Sequence, residues 1–291
     1  MERIPERWLL LSHEPGKSLT DTFQQLHHAV QFIAMADQYL YSGTQGQVMA
    51  WNPERHSFIG REITAPEPFR VALQATHMNL EILDRDLKTV YQLHLPGVTQ
   101  GYVFAWLKEQ VAERGADFTL LKKKLNYSIP EHGIDRCAPF RITDPEAYRE
   151  AAKYRTNADT IAQYFSGFFP SSSGVVSAPD KFTTSFVSVL TTDNNGDATR
   201  SIEVGWSPYG FNGGNPCFFV QPWSSVVPIH DTLPGVSIGQ WSAVRWPAAV
   251  LTTEKLITVK DKTDQAMMVL DFFKSAINSS MKLLELNKIK F

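Results

Sequence analysis

Midway along the chain, the tripeptide Asp144-Pro145-Glu146 most narrows what this sequence can fold into. Asp caps a helix, Pro fits the first helical position, and Glu suits the positive end of the helix dipole. Ala147, Ala151, Tyr154, Ala158, Ile161, Phe165 and Phe168 follow as a buried stripe, and the loop Pro170-Ser171-Ser172-Ser173-Gly174 ends it. A long amphipathic helix is therefore predicted near the centre of the chain, and the segments around it must supply its partners.

Three further helices are legible. Ser18, with Asp21 three residues on as a capping-box variant, opens a helix reaching about Leu40, its face formed by Leu19, Phe23, Leu26, Val30 and Ile33. Thr99 caps a second, with Val103, Trp106, Leu107 and Val111 inward and Gly115 as its stop. A last helix from about Thr263 buries Ala266, Val269, Leu270, Phe273, Ile277 and Leu284. Between them lie strands. Phe69–Leu73 alternates, and a hairpin turning at Arg85-Asp86 would pair Met78 with Leu93, Leu80 with Tyr91 and Ile82 with Thr89. A short strand is expected within 118–125, and a connection over 126–143. Phe182–Leu190, the strand bearing Ile202, Val204 and Trp206, Pro216–Trp223 and Ala243–Leu251 follow, with Asp193–Asp197 as a turn whose Asn195-Gly196 favours positive φ. The reading is an α+β fold with antiparallel sheets and four main helices. It is one unit over 1–291, or two packed halves, 1–140 and 141–291, each ordered helix, strands, helix.

Composition excludes several classes. The 43% apolar and 20% charged residues are those of a globular chain, and a formal charge of −2 gives no broad pull toward nucleic acid or an anionic membrane. The basic run Lys122-Lys123-Lys124 reads as a solvated strand end. Cys137 and Cys217 suffice for no disulfide framework. The N-terminal apolar run Trp8-Leu9-Leu10-Leu11 is shorter than a signal-peptide core, and no stretch approaches the roughly 20 residues of a membrane span, so a cytoplasmic location is expected.

Several short motifs occur in a fixed order: Trp8, Leu26-His27 with Gln31, Gly115-Ala116-Asp117, Pro145-Glu146-Ala147, the strand Phe182–Leu190, then Glu203, Gly205-Trp206-Ser207-Pro208, Gly213-Gly214 and Cys217-Phe218-Phe219. In that order they resemble a family of uncharacterised bacterial proteins of unknown function. The family carries a His before the Glu where this chain has Ile202, and Gly-Lys where it has Ala34-Met35. A site built on those groups would be lost or altered here. The resemblance implies a fold and carries no activity.

No G-x-G-x-x-G after a strand, P-loop, H-E-x-x-H or G-x-S-x-G is present, so no cofactor is evident. His27 and Gln31 share a helix face, and His27 would serve acid–base chemistry if a partner fixed its tautomer and a pocket faced it; otherwise it is a packed histidine. His28, about 100° round the helix, is expected at the surface. In the hairpin register above, His77 opposes His94, the start of a metal site lacking a third ligand, or simply part of a polar sheet face. Glu203 lies on the strand face opposite Ile202, Val204 and Trp206, before a loop with Tyr209, Phe211 and glycines. A carboxylate there would orient a ligand or act as acid or base, and Trp206, Tyr209, Phe211 and Trp223 would contribute stacking surface. The expected function is small-molecule binding near Glu203, with Glu203 and His27 as acid–base candidates should chemistry follow. The alternative is a protein-interaction or homo-oligomerisation module presenting tryptophans from the group Trp206, Trp223, Trp241 and Trp246.

Overall fold

A computed structural model describes residues 3–43, 48–211, 214–229, 233–242 and 247–291. In chain order the elements are α1 (Arg3–Arg7), α2 (Lys17–Leu40), β1 (Ala50–Asn52), β2 (Ser57–Ile59), β3 (Arg70–Gln74), β4 (Asn79–Leu83), β5 (Thr89–His94) and α3 (Gln100–Glu113). After α4 (Pro145–Ser166) come β6 (Val176–Ser177), β7 (Thr184–Thr192), β8 (Ala198–Ser207), β9 (Cys217–Ser224), β10 (Gln240–Ser242), β11 (Ala248–Thr252), α5 (Thr253–Leu256) and α6 (Lys262–Leu283). The architecture is α+β, with two antiparallel sheets and, among the described residues, four long helices: α2, α3, α4 and α6. No helix among the described residues is long and apolar enough to cross a membrane.

The chain divides into two units, neither of them a single stretch. One comprises Gly16–Ala152 and Val176–Phe182; the other Met1–Pro15, Lys153–Val175 and Thr183–Phe291. The division falls within α4.

In the first unit, β1 to β5 form a meander in sequence order. Helix α2 buries Leu19, Phe23, Leu26, Val30 and Ile33, the face its spacing predicts. Its start differs from expectation. Gly16 is the N-cap without a side-chain bond, and the Ser18 hydroxyl instead donates to Asp144 Oδ2 at 2.6 Å. Asp144 also accepts from the backbone N–H of Glu146 (3.0 Å) and Ala147 (3.3 Å), the cap expected for α4. The expected strand within 118–125 is absent. Asp117 accepts from Thr119 N at 2.9 Å and starts a 3-10 turn over Phe118–Leu120, which diverts the chain before a sheet partner is met.

The hairpin forms with its register displaced by two residues: Leu80 pairs with Leu93, Ile82 with Tyr91 and Asn79 with His94. Two local events each add one residue. Leu87 adopts φ 60° and enlarges the loop beyond Arg85-Asp86, while Asp84 Oδ1 accepts from Asp86 N and Lys88 N. The ladder then shifts between Ile82 and Leu83, leaving Val90 without a pairing partner. Beyond the shift the total is two, so Leu80, Ile82, Tyr91 and Leu93 keep their predicted face, whereas Thr89, paired with Leu83 before it, moves to the face of Glu81 and donates to Glu81 Oε1 at 3.1 Å.

In the other unit, β10, β11, β9, β8 and β7 are consecutive antiparallel neighbours. Ile202, Val204 and Trp206 are buried, and Trp206 stacks on Tyr154 with ring centres 5.5 Å apart. Asp261 caps α6 by accepting from Thr263 N and Asp264 N. Gln265, fully buried one turn on, gathers the N-terminal segment: its Oε1 accepts from Trp8 Nε1 (3.2 Å) and Leu11 N (3.0 Å), and its Nε2 donates to Leu11 O (2.8 Å). The strand expected over Phe182–Leu190 starts later, at Thr184, because Phe182 has φ 55°. Of the strand expected over Ala243–Leu251, residues 243–246 lie outside the described residues, and the rest corresponds to β11.

Candidate functional site

Glu203 sits at the centre of the β7–β8–β9 face, opposite Val187 on one side and Gln221 on the other. Alternation turns it away from buried Ile202 and Val204. Its Oε1 accepts from Ser185 Oγ at 2.8 Å. Ser201 faces Trp223 in the next row, and the two rows enclose a cleft of about 220 Å3 lined by Glu203, Trp223, Val187, Ser201, Gln221 and Pro222. The side chain is half-buried, and no Lys, Arg or His nitrogen among the described residues lies within ion-pair distance of it. Gly205, next along the same face of β8, must lack a side chain, because a Cβ there would collide with the Thr184 carbonyl.

Trp223 is thus the one aromatic candidate sharing a cleft with Glu203. Trp206 points to the opposite face, where Arg155 lies 4.7 Å over its ring and donates to Thr184 Oγ1 at 2.9 Å. Full burial lowers the Arg155 guanidinium to about 9, partly opposed by the nearby Tyr209 phenol. Burial also holds the Tyr209 phenol well above its ordinary range. Phe211 packs edge-on to Phe219, beside Cys217, Ala248 and Val250, and burial raises the Cys217 thiol to about 12. Trp223 and Trp241 are both half-buried, and Trp241 Nε1 donates to Pro234 O at 2.7 Å. Gly213 and Trp246 lie outside the described residues.

His27 and Gln31 belong to the unit of residues 16–152 and 176–182, where both engage one carbonyl. His27 Nε2 is 2.9 Å from Pro179 O, and Gln31 Nε2 donates to the same oxygen at 3.0 Å. The His27 ring lies 4.8 Å from that of Phe182, within 4° of parallel. Gln31 Oε1 accepts from Tyr127 OH at 2.7 Å. These bonds occupy His27 Nε2 and both ends of the Gln31 amide, and they tie residues 176–182 to α2.

His77 and His94 are not cross-strand partners. His94 Nδ1 meets Asn79 Oδ1 at 2.9 Å, and His77 Nδ1 meets Thr76 Oγ1 at 3.0 Å. No cluster of three or more metal-ligating side chains occurs among the described residues. His28, expected at the surface, is 1% exposed. The connection over 126–143 covers it: Pro130 O accepts from its ring at 3.2 Å, and Asp135 lies alongside. Coverage by a long irregular segment leaves no periodic trace in the sequence, which is why helix geometry alone misplaces this residue.

No protein-family model matches the chain, and no curated protein and no solved structure is similar to it.

Proposed function

We propose that this protein binds the head group of a small organic cation in the cleft between Glu203 and Trp223. The observation that carries the reading is a half-buried carboxylate whose hydrogen-bond partner is a neutral serine hydroxyl, beside an indole in the same cleft. A carboxylate out of bulk water favours a compensating cation, and an indole face attracts one through its ring quadrupole. The cleft is smaller than the 300–1,000 Å3 or so of sites that enclose a whole ligand, so it suits a methylated or primary ammonium group whose remainder stays in solvent. No second titratable side chain lines it, which favours binding over acid–base catalysis.

The test compares choline with its uncharged isostere 3,3-dimethylbutan-1-ol by calorimetry and tryptophan fluorescence. Choline should bind and the isostere should not, and Glu203→Gln should weaken choline binding about tenfold or more. Equal binding of the two compounds, or of choline to the variant, would refute the proposal.

A further inference from the structure

The unit of residues 16–152 and 176–182 holds a larger cavity, of about 540 Å3, beside α2. That volume lies in the range of sites that enclose a small molecule. Its charged lining balances: Lys123 and Arg136 stand against Glu131 and Asp135, and Arg136 Nη2 already meets Glu131 Oε2 at 3.1 Å. A lining without net charge favours an uncharged ligand. Leu125 and Ile129 add an apolar portion.

The informative pair is His28 and Asp135. A carbonyl oxygen can only accept, so the bond from His28 Nε2 to Pro130 O places the ring proton on Nε2 and leaves the lone pair on Nδ1. That Nδ1 stands 3.4 Å from Asp135 Oδ1 and 3.5 Å from Gln100 Nε2. Burial lowers the His28 pKa below its ordinary value; Asp135 and the Pro130 bond oppose the shift, and His132 adds to it. Gln100 Nε2 can only donate, which fits an accepting Nδ1, and two acceptors then face one another across 3.4 Å, Asp135 being partly open to solvent. Gln100 reaches Nδ1 only at the limit of hydrogen-bond distance, so a donor placed between the two acceptors would serve both more closely. Asp135 is held in this position, because its Oδ2 accepts from His132 N at 2.9 Å in the cap of the 3-10 turn Gly133–Arg136. His132 is held in turn: its Nδ1 accepts from Ile134 N at 3.3 Å, and its Nε2 lies 3.2 Å from Asp21 Oδ1.

We infer that this cavity binds a small uncharged polyol, a sugar or cyclitol, with neighbouring hydroxyls donated to His28 Nδ1 and Asp135 Oδ1. Lys123, Arg136 and Gln100 supply donors for its remaining oxygens, and Leu125 and Ile129 take its C–H face. Protonation of His28 would turn Nδ1 into a donor to Asp135 and remove both acceptors at once. Binding therefore weakens on acidification. The charged groups around His28 are Asp135, His132 with its partner Asp21, and the cavity's Lys123, Arg136 and Glu131.

The experiment is an NMR titration that follows the histidine ring resonances while D-glucose, D-ribose and myo-inositol are added separately, with inorganic phosphate and methylammonium as charged controls. At least one polyol should shift His28 and leave His77 unmoved, with affinity falling as the pH drops to about 5. Asp135→Asn, which can retain the cap, should weaken that binding about tenfold. Gln100→Leu, at a separate edge of the cavity, should weaken it too and serves as the readout if the first variant does not fold. Silence at His28 with all three polyols at high millimolar concentration, a shift with a charged control alone, or undiminished affinity in a folded variant would overturn the inference.

Discussion

Asn79 lies directly across the β4–β5 pair from His94 and links three strands: its Oδ1 meets His94 Nδ1 at 2.9 Å, while its Nδ2 donates to Gln74 Oε1 on β3 at 3.0 Å. Asn79 is buried, so Asn79→Ala removes two bonds where water does not readily replace them. The expected cost is about 1–3 kcal/mol in urea unfolding. His77→Ala, at an exposed turn position, should stay within about 0.5 kcal/mol. Equal costs at the two positions would contradict the observed register.

His27→Ala separates structure from ligand binding. It removes a buried ring stacked on Phe182 and a bond to Pro179 O, so thermal unfolding should show a loss of about 2–4 kcal/mol. Choline affinity at the Glu203 cleft should be unchanged. A stable variant with lost affinity would return His27 to the ligand site.

The tyrosines set the behaviour at high pH. Burial raises the phenols of Tyr127, Tyr148 and Tyr209 well above the ordinary value of 10.0. An acid raised in the folded state stabilises the fold fully below its unfolded pKa, and that stability is lost as pH rises above about 10 toward the folded value. Phenolate absorbance should therefore show these three titrating late and together with unfolding. Three early, reversible phenols in the folded protein would disprove their burial.

Asp261 caps α6 through Thr263 N at 2.8 Å and Asp264 N at 3.0 Å. Asp261→Ala should cost about 1 kcal/mol and Asp261→Asn much less, since either amino acid with a side-chain oxygen accepts from the same N–H groups. Matched losses in the two variants, measured by denaturant midpoint, would mean that charge rather than capping matters there.

Local features were the most legible in the sequence. Asp144-Pro145-Glu146 acts through neighbours one to three residues away, and the Asp193–Asp197 turn closes on its own side chain, Asp193 Oδ1 accepting from Asn195 N and Asp197 N. Alternation correctly separated Glu203 from Ile202 and Val204, because one strand's pleat decides it. What lies beside Glu203 was not legible: Ser185 and Trp223 come from two other strands, and which strands pair is a long-range matter. In the hairpin, two local irregularities decide the register. Leu87 entering a left-handed conformation and Val90 dropping out of the ladder together moved His94 from His77 to Asn79. The burial of His28 is illegible for the same reason, since it comes from Pro130 and Asp135 about a hundred residues away.

The way the chain is shared between its two units also orders events during synthesis. Residues 16–152 form one unit with little more than the short return of 176–182, so most of its contacts can close while the rest is still being made. The other unit has to wait. The segment bearing Trp8, made before the rest of that unit, docks on Gln265 across 257 residues, a closure that cannot occur until α6 has emerged. Trp8 therefore stays without its partner while the 257 residues up to Gln265 are made, and ribosome-bound chains truncated before Gln265 should leave it open to solvent.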